Sequence, residues 1–554
     1  MPFVGEIFAQ LKADSDTRVL QEIRDGQVTG VTGGELLELI RKARTFLAAK
    51  GLKKGDRCGL LAANSIRWVA VDLAAMAEGL IVVPLYFRQA PAELVAMIND
   101  STPALICCGD ATLRDGIQQQ WPGSNRQDAP PHFLFDEIFA GVEGTALDRP
   151  RVRDADAVTI IYTSGTSGEA KGVVLSAANV GFMLGCTSAR LDSLMGGRSG
   201  QDRIFHYLPF SFCASWIAVL SFLLRGSLVT LNTDLTKIPN DLPVVAPHYF
   251  LNVPQLLERM RRGVDEQVAQ KGGVGQALYS RAKLAWARQK EKRKQAGDAF
   301  WVWLANALVF PTIRKKMVGE NLRALICGSA PLTPETQDYF SMLGIPVLQV
   351  YGLTETTGIC TMDEPNRVVP GRVGPAISGI EMRLGDNDEI VVRGPNVFPG
   401  YWNRPQQTAE VLRDGWFHSG DQGEMDSSGN WRIVGRIKNL IVLGSGHKIA
   451  PETVEEEIAR HLPGAQQVVV VGNGRGYLSA IVTGSVTGQL VQAALDAVNP
   501  DLPHYKQVRA FVVRTEPFSI DNGMLTANGK LKRDLISARL KNEIEEMYRV
   551  RQAV

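Results

Sequence analysis

Residues 35–86 read ELLELIRKARTFLAAKGLKKGDRCGLLAANSIRWVAVDLAAMAEGLIVVPLY. The apolar residues of ELLELIRKARTFLAAK recur at helical spacing. CGLLAAN and LIVVPLY are instead short apolar runs closed by turn residues and set about one helix length apart. Strands joined through helices lie parallel, so this alternation predicts a parallel sheet with crossover helices. The rhythm continues through ALICC, AVTIIYT, RIFHYLPF and SLVTLNT, and resumes at LRALICG and PVLQVYG. Arg259 to Lys316 interrupts it with a different composition. After Gly394 the segments become short and turn-rich: GDNDEIVVRGPNVFPGY, DSSGNWRIVGR and YLSAIVTG all read as antiparallel strands. A helix, PETVEEEIARHL, and further strands follow the GRIKN segment, Gly435 to Asn439, as a separate small unit.

The 554 residues are 45% hydrophobic and 21% charged, ordinary globular usage that excludes collagen-like, coiled-coil and wholly disordered chains. Sixty basic against 58 acidic residues give +2, without the strong positive field of a dedicated nucleic-acid binder. Seven cysteines, an odd number with no CxxC pair, read as reduced thiols of a cytoplasmic protein. The longest apolar run, Phe212 to Leu224, is too short to span a bilayer, which needs about 20 residues.

The strongest local signal is YTSGTSGEAKGV, residues 162–173, directly after the buried-strand candidate AVTII. Its glycines and hydroxyls, Thr163, Ser164, Gly165, Thr166, Ser167 and Gly168, let backbone N–H groups and hydroxyls crowd around phosphate oxygens, and Lys171 adds positive charge. The spacing is not that of a Walker A loop. Downstream stand GSAPL (328–332), YGLTETTG (351–358), GWFHSGD (415–421), GRIKNLIVLGSG (435–446) and NGK (528–530). In this order and spacing the set resembles the adenylate-forming superfamily, which includes acyl-CoA synthetases, peptide-synthetase adenylation domains and luciferases. KKGDRCGLLAANSIRWV resembles its opening part, so the similarity covers nearly the whole chain.

The resemblance implies an α/β fold: a large N-terminal domain of mixed and parallel sheets with crossover helices plus a β-subdomain, and a small mobile α+β C-terminal domain. On this chain these would be residues 1–435, with a basic helical insert at about 259–316, a hinge at 436–439, and residues 440–554. The resemblance also implies roles. Gly328, Ser329, Ala330 and Tyr351 would bind the nucleotide, Tyr351 by stacking on the purine. Thr354 and Glu355 would be catalytic, and Glu355 offers a hard carboxylate to Mg²⁺. Asp421 would accept both ribose hydroxyls, Arg436 would contact the nucleotide, and Lys438 would be the hinge. Lys530 would balance charge on the carboxylate and α-phosphate as the adenylate forms.

Amino-acid-activating relatives carry an aspartate after an FSF-like segment; here FSFCASW (210–216) places Cys213 there, which disfavours an amino-acid substrate. Phe210, Phe212, Cys213 and Trp216 are expected to wall an apolar acyl pocket. The insert resembles that of long-chain fatty acyl-CoA synthetases, as does the form of the hinge motif, whose Gly444 and Gly446 would let a narrow pantetheine arm pass. The expected reaction is therefore that of an AMP-forming acid–thiol ligase, with ATP, Mg²⁺ and CoA, acting on a medium- to long-chain fatty acid. The rivals are an acyl-AMP ligase loading an acyl carrier protein and a non-catalytic nucleotide-binding regulatory protein. Residues 259–316 hold 14 basic and 4 acidic side chains interleaved with Leu284, Trp286, Trp301, Trp303 and Leu304. That mixture is expected to lie on an anionic membrane, at its inner face.

Overall fold

The computed structural model describes residues 3–121, 129–141, 152–163, 170–197, 200–290, 292–519, 521–526 and 529–549. The stretch that opened the sequence reading folds as expected. The Thr32 hydroxyl accepts the Glu35 N–H and the Glu35 carboxylate accepts the Thr32 N–H, a reciprocal cap that starts the helix Gly33–Ala49. Strands Arg57–Leu61 and Ile81–Leu85 follow, paired in parallel through the helix Ile66–Ala77.

Two compact units divide the described residues: the first takes 3–163, 170–381 and 392–415, the second 382–391 and 416–549. The first unit contains two sheets. A seven-stranded sheet runs Gly400–Tyr401, Lys171–Ser176, Ala157–Thr163, Ile81–Leu85, Arg57–Leu61, Leu105–Cys108, His132–Leu134. An eight-stranded sheet runs Thr361–Met362, Val347–Tyr351, Ala324–Cys327, Tyr249–Asn252, Arg203–His206, Leu228–Asn232, Arg18–Arg24, Gln27–Thr32. Parallel pairing dominates both, and their central strands are buried apolar runs, as parallel strands covered on both faces must be. The basic insert folds as four helices, Pro254–Lys271, Gly273–Lys290, Asp298–Leu308 and Phe310–Val318, whose inner faces join the core around Phe250, Phe310 and Phe340.

Strands Glu381–Leu384, Glu389–Arg393, Trp416–Met425 and Trp431–Arg436 belong to one β-sheet, most of whose residues fall in the second unit. Ser419 Oγ donates to the Ile390 carbonyl at 2.6 Å, tying the second strand to the third. This sheet groups with the C-terminal residues, so compactness divides the chain at 415, whereas the expected edge at 435 coincides with the short 3₁₀ turn Ile437–Asn439. A further sheet, Ala465–Val471, Leu478–Gly484 and Val508–Arg514, is mixed: its central strand runs antiparallel to the first and parallel to the last. YLSAIVTG therefore has one antiparallel neighbour and one parallel neighbour. The helix Gly488–Val498 lies between the last two strands in the chain and permits the parallel pairing.

Candidate active site

In the first unit, the site motifs stand where parallel strands end. Ala324–Cys327 and Val347–Tyr351 are neighbouring parallel strands, and GSAPL and YGLTETTG leave their carboxyl ends, the position where open α/β sheets bind ligands. Gly328 has no room for a side chain, since a Cβ there would lie 2.5 Å from Val350 Cγ2. Ser329 takes a left-handed backbone conformation (φ 73°), uncommon for a residue with a Cβ and a frequent mark of functional loops; it and Ala330 are exposed. Thr163 closes the strand that feeds the phosphate-loop candidate and pairs with Lys171 on the returning strand. Ser164, Gly165, Thr166, Ser167 and Gly168 lie outside the described residues.

Thr354, Glu355 and Thr356 form a 3₁₀ turn just past Tyr351. The turn is pinned from the segment 396–398: Phe398 N–H donates to the Glu355 carbonyl at 2.9 Å, and the Thr357 hydroxyl donates to the Asn396 carbonyl at 2.7 Å. The Glu355 carboxylate accepts the Tyr401 hydroxyl at 2.8 Å, and Lys171 Nζ sits 5.1 Å from the centre of the Tyr401 ring. Tyr401 thus joins Lys171, the candidate phosphate lysine, to the candidate metal carboxylate. Sequence reasoning missed it; its place beside Lys171–Ser176 depends on a two-residue strand, Gly400–Tyr401, too short to show periodicity.

The acyl-pocket candidates lie apart from the apolar cavity nearest the Glu355 turn. A narrow apolar cavity of about 50 Å³ opens beside Gly358 and Ile359. Ala214, Ile217, Ala218 and Phe222 of the helix Cys213–Leu224 line it, together with Leu251, Ile326 and Val350 of three strands. Phe210, Phe212, Cys213 and Trp216 do not. Phe210 and Phe212 precede the helix, and on it 214, 217, 218 and 222 share one face, with Cys213 at its edge and Trp216 on the opposite side. Trp216 is fully buried, and its Nε1–H donates to Asp72 at 2.9 Å. Burial without a counter-charge pushes the Asp72 carboxyl up to about 7, the indole bond opposing it. Phe210 packs on Trp68 and stacks on His206, and Phe212 lies against Tyr86. Burial first, and the Glu355 charge second, push the Cys213 thiol well up, so it stays a neutral apolar filler. An acid or base at 213 is absent, and among the described residues the cavity's only polar side chain is Thr187.

The second unit carries the other candidates. Asp421, buried, pairs with Arg436 across adjacent strands, Oδ1 to Nε at 2.7 Å. Lys438 occupies the 3₁₀ turn after that strand, and the neighbouring Asn439 side chain donates to Glu452 at 2.6 Å. Lys530 is exposed in a tight turn closed by Thr526, whose N–H donates to the Lys530 carbonyl at 2.8 Å and whose hydroxyl accepts the Lys530 N–H at 3.1 Å. Gly446, at φ 85°, forms the turn between strands Ile441–Val442 and Lys448–Ile449, and Gly444 N–H donates to the Arg475 carbonyl at 2.8 Å.

Among the described residues no cluster of three or more His, Cys, Asp or Glu could hold a metal alone. Glu355, a single carboxylate with one oxygen engaged by Tyr401, fits Mg²⁺ that is held chiefly by nucleotide phosphates, the usual mode for that ion.

The comparisons with known proteins agree with this architecture. The family profile described as AMP-binding enzyme matches residues 7–402, and that of the AMP-binding enzyme C-terminal domain matches residues 438–552. A long-chain-fatty-acid–CoA ligase of Mycobacterium bovis is 27% identical, over 98% of this chain and 96% of its own. Long chain acyl-CoA synthetase 3 of Arabidopsis thaliana is 26% identical, over 96% of this chain and 89% of its own. The crystal structure of ATP-bound MatB from Rhodopseudomonas palustris superimposes with a TM-score of 0.74 at 23% identity, over 98% of this chain and 99% of its own. With both profiles matched in the order of the two motif-bearing parts, the chain belongs to the AMP-binding enzyme family of adenylate-forming enzymes.

Proposed function

We propose that the chain is an AMP-forming acid–thiol ligase that activates a fatty acid with ATP, releasing pyrophosphate, and then transfers the acyl group from AMP to CoA. The observation that carries the fatty-acid reading is the cavity beside the Glu355 turn: among the described residues it has aliphatic and aromatic walls and no charged side chain to meet a substrate ammonium. The long-chain relatives support the same substrate class.

The chemistry asks the protein for positioning and charge. Backbone N–H groups and hydroxyls of 163–168 and Lys171 hold phosphates, Tyr351 stacks on the base, and Asp421 takes the ribose hydroxyls. Glu355 would hold Mg²⁺, which would supply positive charge to neutralise the phosphates, and Thr354 stands beside it in the same catalytic turn. The acyl tail enters between Ala218 and Val350, leaving its carboxylate near the turn. Attack of that carboxylate on the α-phosphorus forms the acyl–phosphate bond and expels pyrophosphate, with Lys530 countering the negative charge. The thiolate of CoA then attacks the acyl carbon and AMP leaves. Lys438 serves as pivot between the two half-reactions, and Gly444 and Gly446 give the thiol a narrow route. The acid is of medium to long chain, the class named for the long-chain relatives, and the enzyme works in peripheral contact with an anionic membrane.

An ATP–pyrophosphate exchange assay over a panel of acids tests this reading, with thioester and AMP measured when CoA is added. Fatty acids should support exchange and CoA should yield thioester. Lys530→Ala should lose about 100-fold or more in exchange while thioester formation from supplied acyl adenylate persists. Exchange with no fatty acid would overturn the reading, and acyl transfer only to a carrier protein would replace CoA as acceptor.

A further inference from the structure

The helix Asp298–Leu308 breaks the ordinary rule for a surface helix. Its inner face is conventional: Val302 and Ala305 are buried, Trp301 and Leu304 pack on the core, and Asp298 is buried in an ion pair with Arg288. The outer face should then be polar. Instead Phe300 is 53% exposed, Trp303 63% and Leu308 64%, the two rings 6.1 Å apart. Leu284, on the preceding helix, is 61% exposed. No charged residue occurs from 299 to 313, whereas Lys292, Arg293 and Lys294 precede this run and Arg314, Lys315 and Lys316 follow it. All of these bases except the partly covered Arg314 are exposed.

The sequence-level expectation treated five apolar residues alike; the structure separates them. Trp286, Trp301 and Leu304 face the core, and Leu284 and Trp303 face outward with Phe300 and Leu308. Lys290 is also engaged, pairing with Asp338 at 3.0 Å and lying over the Trp286 ring. At 1.5 Å per residue the 11-residue helix is about 16 Å long, half the hydrocarbon thickness of a bilayer. Among the described residues no helix is long and apolar enough to cross a membrane.

We propose that Phe300, Trp303 and Leu308 insert into the headgroup region of an anionic leaflet, with the bases at 292–294 and 314–316 engaging lipid phosphates at both ends of the helix. Charge complementarity selects lipid as the occupant: a basic rim around an aromatic, charge-free centre matches an interface whose surface is anionic and whose interior is apolar. Trp is well suited to that depth, its ring apolar and its N–H still able to reach water. The inference deepens the proposed function, on which it rests, by placing the helix where a fatty acid is collected from its membrane reservoir.

The test is flotation of the full chain with phosphatidylcholine vesicles containing or lacking phosphatidylglycerol. Anionic vesicles should bind it, and rising salt should weaken the binding without abolishing it, because screening reaches the bases but not the inserted rings. Phe300→Ser with Trp303→Ser should lower the affinity at least tenfold. Lys292→Glu, Arg293→Glu and Lys294→Glu together should weaken the preference for anionic lipid. In a second readout, lipids brominated near the headgroup should quench the parent's fluorescence, and Trp303→Phe should lose a part of that quenching while still binding. Equal binding by the serine variant, or equal quenching of Trp303→Phe, overturns the proposal. So does a concentration-dependent dimer that the serine variant dissolves, since the face would then belong to a second copy. Pyrophosphate exchange with a water-soluble acid, measured without vesicles, should be the same for all variants. Its absence in every variant, with vesicle binding still lost in the serine variant, would count against the fatty-acid reading and uphold the surface.

Discussion

The helices Cys213–Leu224 and Asp298–Leu308 have nearly the same composition and opposite fates. Both are short, 12 and 11 residues, and apolar all round, and they hold a single charge between them, Asp298. The first is enclosed: ten of its residues are buried, one side against Asp72 and the core, the other along the cavity. The second has a neighbour on one side only. An apolar helix is therefore not a statement of burial, and what its residues do depends on whether the second face is covered. In the enclosed helix that face meets an apolar cavity; in the open one it meets the surroundings of the protein.

The largest effect that could break this contrast is at Trp216. Trp216→Ala removes a fully buried indole and the donor to Asp72, so unfolding by heat or denaturant should show a loss of about 3–5 kcal/mol. A loss below about 1 kcal/mol would mean the first helix is no better packed than the second. Asp72→Asn sharpens the same contact. The folded carboxyl holds its proton to about 7 against an ordinary value near 3.8, so the folded state binds more protons than the unfolded chain in that interval. Stability from this group is present below about pH 4 and declines as pH rises to about 7, by at most roughly 4 kcal/mol. Melting curves of Asp72→Asn from pH 4 to 8 should be flatter by that component.

Smaller again is the change at the cavity face. Ala218→Phe should lower kcat/KM for long acids about 10- to 100-fold and leave the shortest accepted acid within a few-fold, measured across a chain-length series. Equal losses at every length would remove residue 218 from the acyl path. The smallest effect belongs to the open helix. Trp303→Ala should change the unfolding free energy by no more than about 0.5 kcal/mol, since an exposed side chain loses little contact. A large loss there would show that the two helices are packed alike.

The same pair explains what could be read before the structure. The parallel sheets were legible because buried strands such as Ile81–Leu85 and Ala157–Thr163 carry unbroken apolar runs between helices. The positions of Glu355 and Lys171 at strand ends followed from their motifs. The cavity wall was not legible: in a helix apolar all round, periodicity cannot say which of Ala214 and Trp216 faces the cavity, because composition is alike on both faces. Tyr401 was hidden for a different reason, since its neighbours Lys171 and Glu355 lie far away in the chain. The division at 415 was hidden likewise, because it depends on pairing between the distant strands Glu389–Arg393 and Trp416–Met425.

Tyr401 also carries an electrical consequence. Lys171 and Glu355 are opposite charges that both engage this one residue, the ammonium above the ring face and the carboxylate at the hydroxyl. Among the described residues no ion pair joins them directly. The tyrosine is an insulator: it satisfies each charge weakly and keeps the two from cancelling. Under the proposed function, a magnesium nucleotide arriving there would meet a cation for its phosphates and an anion for its metal, both already in place, instead of a neutral pair that would first have to be pulled apart.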